Sequence, residues 1–83
     1  MTIKVLGSGC ANCQTLERLC REVVAENKID ATVEKVTDLK EIMGYGILST
    51  PGLVVDGKVV SSGKLPTKST LTHWLIDAMA MRS

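Results

Sequence analysis

Two β-rich runs, Leu53-Val54-Val55 and Lys58-Val59-Val60, are separated by Asp56-Gly57 alone, the pair that most readily takes up positive φ at a two-residue turn. That signal forces an antiparallel hairpin into the final third of the chain, and the rest of the sequence must be compatible with it. Upstream, Ile3 to Gly7 is a short apolar run closed by Gly7, Ser8 and Gly9, a buried strand entering a tight turn. From Cys13 onward, Leu16, Leu19, Cys20, Val23 and Val24 fall at helical spacing, with Glu17, Arg18, Arg21 and Glu22 opposite them. This predicts an amphipathic helix ending near Asn27.

Ala31 to Val36 reads as a second strand, its alternation imperfect around two charged residues. Thr37 and Asp38 offer an N-cap for a short helix, Leu39 to Met43, which Gly44 and Gly46 stop. After the hairpin, Gly63 to Pro66 connects to Thr67, a good N-cap for a last helix with the apolar stripe Leu71, Trp74, Leu75, Ala78 and Met79. Trp74 is expected to pack in the core. The order is β-α-β-α-β-β-α. Strands separated by helices imply parallel crossovers, and the hairpin adds an antiparallel edge. The expected fold is therefore α/β, a mixed four-stranded sheet covered by helices.

An 83-residue chain cannot be divided into two halves that each bury enough apolar surface, so one domain over residues 1–83 is expected. With 45% hydrophobic and 23% charged residues it is not a disordered composition. Ten Lys plus Arg against nine Asp plus Glu leave a net charge of +1, without the basic footprint that phosphate backbones require. Tyr45 and Trp74 are the only aromatic residues that could stack on bases, and no basic run surrounds either. No basic segment followed by an apolar one opens the chain, and no apolar run approaches the roughly 20 residues of a membrane span. The expectation is a soluble cytoplasmic monomer with no nucleic-acid or membrane partner.

Three cysteines, two of them in Cys10-Ala11-Asn12-Cys13, favour redox or metal chemistry over a structural disulfide scaffold. Cys10 follows the Gly-Ser-Gly turn at the start of the first helix, where unpaired N–H groups and the helix dipole stabilise an anion and lower a thiol pKa. That makes Cys10 the candidate nucleophile of disulfide exchange. Cys13 lies one turn later, at a Cα separation of about 5 Å that a disulfide accepts, and begins the apolar stripe. It is the candidate resolving thiol, the more buried of the two. Cys20 lies seven residues further along the helix, too far for a disulfide to Cys13, and reads as a small core hydrophobe. The same spacing could hold a soft metal, but a closed zinc site needs two more ligands than the pair supplies. Only Cys20 and His73 remain, and His73 reads as a surface residue.

Three segments together resemble the small thioredoxin/glutaredoxin-like, redox-active disulfide proteins of the thioredoxin family: Val5-Leu6-Gly7-Ser8-Gly9-Cys10-Ala11-Asn12-Cys13, Tyr45-Gly46-Ile47-Leu48-Ser49-Thr50-Pro51-Gly52, and Leu53 to Val60. The resemblance covers nearly the whole chain and implies a thioredoxin-like fold. It also implies a cis Pro51 facing the dithiol, with Thr50 supplying backbone groups that pair with a substrate chain. The implied activity is thiol-disulfide exchange on protein disulfides, with no bound cofactor and with recycling by an external reductant such as a flavin-containing thioredoxin reductase. Two features depart from the family pattern. Gly9, Ala11 and Asn12 stand where an aromatic residue and Gly-Pro are usual, and Lys4 stands where many members carry a buried Asp. Neither a Tyr in the CxxC nor a glutathione-anchoring Gly-Gly-Asp near Ser62 and Gly63 is present, so protein disulfides are the expected substrates. Lys4 is expected to be a solvated strand-edge residue. The rival is a heavy-metal-associated domain, which places CxxC similarly but in the order β-α-β-β-α-β. The helical stripe at the C-terminus argues against it.

Overall fold

The computed structural model describes residues 1–81. Its elements are β1 (Thr2–Leu6), α1 (Ala11–Glu26), β2 (Thr32–Val36), α2 (Leu39–Gly44), β3 (Gly52–Val55), β4 (Lys58–Ser62) and α3 (Lys68–Ala80). The sheet runs β2-β1-β3-β4, with β1 parallel to β2 and antiparallel to β3, and β3 antiparallel to β4. This is the mixed four-stranded sheet and element order expected from the hydrophobic pattern.

The period of two in the strands divides the core between the two faces of the sheet. Ile3 and Val5 of β1 and Leu53 and Val55 of β3 meet Leu16, Cys20 and Val23 of α1 and Leu71 and Leu75 of α3. On the opposite face a smaller cluster joins Leu6, Val36 and Val54 to Ile42 of α2, with Tyr45 and Ile47 packed against it. Trp74 is half-buried against the larger cluster, whereas Met79 lies 42% exposed, because it falls about a quarter-turn from the line through Leu71, Leu75 and Ala78.

Local chemistry sets the boundaries. Asp56 and Gly57 take φ of 49° and 84°, and the turn is tied to the first strand by Thr2 N–H donating to Asp56 Oδ1 (2.8 Å) and Asp56 N–H to the Thr2 carbonyl (2.8 Å). No glycine marks the end of α1. Lys28 takes φ 51°, and the amide of buried Ile29 returns to the Val24 carbonyl at 3.0 Å, the bond of a Schellman cap. Asp38 and Thr67 cap α2 and α3 through their side chains. Between Leu53 and Val54 the β3–β4 register shifts, leaving Val60 as an extra residue in the edge strand.

Cys20 is fully buried, and loss of hydration pushes its thiol from the ordinary 9.0 up to about 12. The unfolded chain releases this proton near pH 9 and the folded chain does not, so stability falls as pH rises through that window. The slope approaches roughly 1.4 kcal/mol per pH unit for this one group. Urea unfolding at about pH 8 and about pH 10.5 is expected to show that loss, and Cys20→Ala to lack its share of it. The same burial predicts that an alkylating reagent labels Cys20 only in denaturant.

Candidate active site

Four segments meet at one end of the sheet: the residue after β1, the start of α1, the loop before β3 and the turn after β4. Gly9 takes φ +89°, a conformation that suits glycine, and its carbonyl accepts from Gln14 Nε2 at 3.1 Å, so the first turn of α1 holds the Gly-Ser-Gly turn in place. Cys10 follows as the N-cap, with extended backbone, and its Sγ accepts the amide of Cys13 at 3.1 Å. A thiolate accepts such a bond more strongly than a thiol, and no acidic side chain stands in the first turn to oppose it.

Cys10 and Cys13 are joined as a disulfide with Cα atoms 5.0 Å apart. Their exposures differ: Cys10 is exposed and Cys13 only 2% exposed. The arrangement thus presents one sulfur to a partner and holds the second beneath it.

The loop before β3 carries the other two residues singled out in the sequence. The Thr50–Pro51 peptide is cis, Pro51 is buried and Thr50 is exposed. The Pro51 carbonyl accepts from the amide of Gly63 at 2.8 Å. Gly63 takes φ +73°, and a Cβ there would lie 2.8 Å from Ser49 Cβ. This glycine reads in the sequence as part of a plain connection. In the structure it holds the Ser49–Pro51 loop, and the available signal was a glycine directly after a strand, which marks close backbone approach. Gly7, read as a strand-ending turn, is buried, with Cys13 and Thr50 both sharing the space above its Cα.

Lys4 differs from expectation. It lies on β1, which is flanked by β2 and β3, so it is half-buried and not on a strand edge. Its Nζ donates to Tyr45 Oη at 3.4 Å, and that hydroxyl, ahead of Glu34 and Glu41, holds the ammonium above its ordinary pKa. Three residues of strand, about 10 Å, separate it from Gly7. Lys4→Met is therefore expected to leave the pH profile of Cys10 alkylation unchanged, as measured by iodoacetamide labelling of the dithiol form.

Cys20 sits within the α1 core, and His73 is exposed on α3, its Nε2 3.4 Å from Asp77 Oδ2. Among the described residues no three or more His, Cys, Asp or Glu side chains converge. No described helix is long and apolar enough to cross a membrane.

The sequence profile of the thioredoxin domain family matches residues 1–76. The chain belongs to the thioredoxin family. A thioredoxin of Methanothermobacter thermautotrophicus is 42% identical over 71 residues, covering 86% of this chain and 92% of the relative. A thioredoxin of Methanocaldococcus jannaschii is 36% identical over 67 residues, covering 81% and 77%. With the family's CxxC pair at disulfide distance, the chain is a thiol-disulfide oxidoreductase; the metal-binding alternative is not favoured. Family membership implies, in general terms, disulfide substrates and a reductase that renews the dithiol.

Proposed function

We propose that this thioredoxin-family chain reduces protein disulfides in the cytoplasm as a one-domain monomer, with Cys10 as nucleophile and Cys13 as resolving thiol. The observation that carries the reading is the exposed Cys10 sulfur capping α1 with the Cys13 amide donated to it, above a buried Cys13. Cys10 thiolate attacks a substrate disulfide, forming a mixed disulfide and releasing one substrate thiolate. Cys13 then gives up its proton and attacks Cys10 Sγ, closing the 10–13 disulfide and releasing the second thiolate. Two electrons pass to the substrate. Among the described residues no charged side chain is buried beside Cys13, and in this reading its proton goes to water or to the departing thiolate. A flavin-containing thioredoxin reductase would return the two electrons.

Thr50 and Pro51 guide the substrate backbone in this reading. Thr50 is exposed, and among the described residues its backbone N–H and carbonyl take no hydrogen bond, which leaves both for an extended chain laid beside the dithiol. The monomer is supported by the β2 edge. Antiparallel pairing with a second copy about its centre would set Glu34 against Glu34 or Lys35 against Lys35, like charges directly opposed.

The test is equilibration in redox buffers of defined potential, with thiol labelling read by mass. A reversible two-electron transition, absent in Cys10→Ser and in Cys13→Ala, is the expected result. Failure to form the 10–13 disulfide, with stoichiometric binding of a soft metal in its place, would overturn the reading in favour of a metal-binding module.

A further inference from the structure

Gly7 is not a turn glycine. Its backbone lies outside the left-handed region, so an alanine there meets no conformational objection. What excludes a side chain is Cys13: a Cβ on Gly7 would collide with Cys13 Sγ and lie 3.0 Å from Cys13 Cβ, while Thr50 Cβ at 3.8 Å is an ordinary contact. The obstruction is therefore the Cys13 side chain, its sulfur far more than its Cβ. The Gly7 amide donates to the Val36 carbonyl at 2.9 Å, so this backbone is tethered to β2 and cannot simply step aside.

The two redox states use that sulfur differently. In the disulfide, the bond to Cys10 fixes where Cys13 Sγ must be, which is against the bare Cα of Gly7. In the dithiol that bond is gone, and the Cys13 sulfur is held there only by its χ1 preference and its packing. A methyl group at position 7 should thus penalise the disulfide more than the dithiol. We propose that Gly7 is a positioning residue that sets the redox equilibrium of the Cys10–Cys13 pair, its missing side chain being the seat that the oxidised Cys13 sulfur occupies. The proposal rests on the oxidoreductase reading above. The reaction it tunes is the pair's own: the S–S bond takes up two electrons and two protons to give two thiols, the electrons coming from the dithiol of the redox buffer.

The experiment compares wild type with Gly7→Ala in dithiothreitol redox buffers, following the 10–13 disulfide by thiol labelling and mass. Gly7→Ala is expected to shift the equilibrium at least tenfold toward the dithiol, about 30 mV toward a more oxidising potential. Urea unfolding of the oxidised and reduced forms gives an independent readout, because the redox shift must equal the difference between the two stability penalties. The oxidised form is expected to lose more. In a Cys13→Ala background, which removes the obstructing sulfur, Gly7→Ala is expected to cost less than in the oxidised wild type. Equal penalties in both redox forms, an unchanged midpoint, or a variant that folds in neither form would overturn the proposal. The last outcome would make Gly7 a requirement of the fold and not of the bond. If wild type itself forms no 10–13 disulfide, the oxidoreductase reading fails, a result distinct from a normal wild-type transition that Gly7→Ala leaves in place.

Discussion

Cys10→Ser is expected to lower turnover of a protein disulfide, with dithiothreitol as electron donor, by on the order of 10³ or more. The loss is chemical and not structural. Serine is itself a preferred N-cap, so its hydroxyl can take over the Cys13 amide that Cys10 Sγ accepts at 3.1 Å, and α1 keeps its first turn. What disappears is the thiolate, since a serine hydroxyl in the same place does not ionise near neutral pH. Cys13→Ala is expected to reduce turnover comparably, but at a later step. In a single turnover without dithiothreitol, which would itself cleave the mixed disulfide, the exposed Cys10 still attacks, nothing lies beneath it to resolve the product, and the mixed disulfide accumulates as a species visible by mass. Alanine is the better replacement at this buried position, because a serine hydroxyl pressed toward Gly7 would lack a partner. Trapping through Cys13 in place of Cys10 would reverse the assigned roles.

The sequence carries the dithiol and its surroundings in unequal measure. Cys10 and Cys13 are recognisable because their roles depend on local geometry: three residues of helix set both the Cα separation and the difference in burial. The hairpin is recognisable for the same reason, as Asp56-Gly57 specifies its turn without help from the rest of the chain. Lys4 is misread because its setting is not local. An apolar run with one lysine does not show whether it lies at the edge of a sheet or inside it, and β1 becomes internal only once β3 pairs with it. Gly7 and Gly63 escape notice for a related reason. Gly7 is a glycine on account of Cys13, six residues on, and Gly63 on account of its φ of +73° together with Ser49, none of which the local pattern shows. The end of α1 near Asn27 is legible from where the apolar spacing stops, but its cap is not: Lys28 takes the left-handed position where a glycine is usual. The bulge at Val60 likewise leaves no mark in a run of β-branched residues.

Leu53→Ala is expected to destabilise the protein by about 2–5 kcal/mol, the range for a leucine truncated in a close-packed core. Leu53 has no solvent exposure. It pairs with Val5 on one side and Ser61 on the other, and its side chain enters the cluster shared by β1, α1 and α3. A chain this short has few layers to redistribute around the cavity, and total stabilities of small domains fall toward the lower end of about 5–15 kcal/mol. The truncation should therefore consume a large part of the whole and lower the urea midpoint severely. Leu48→Ala supplies the contrast five residues away. Leu48 is fully exposed, and its truncation is expected to change stability by less than about 0.5 kcal/mol. The difference also bears on the chemistry, because Leu53 lies two residues after Pro51 on β3, which begins at the site, and Leu16 in the same cluster lies one turn beyond Cys13. Loosening this core should therefore release Cys13 from its buried seat, so that in the reduced Leu53→Ala protein both Cys13 and Cys20 are alkylated well before the global transition. If the two buried thiols stay protected until the protein unfolds as a whole, the site and the core form one cooperative unit, and the cost of the cavity is shared by all of it.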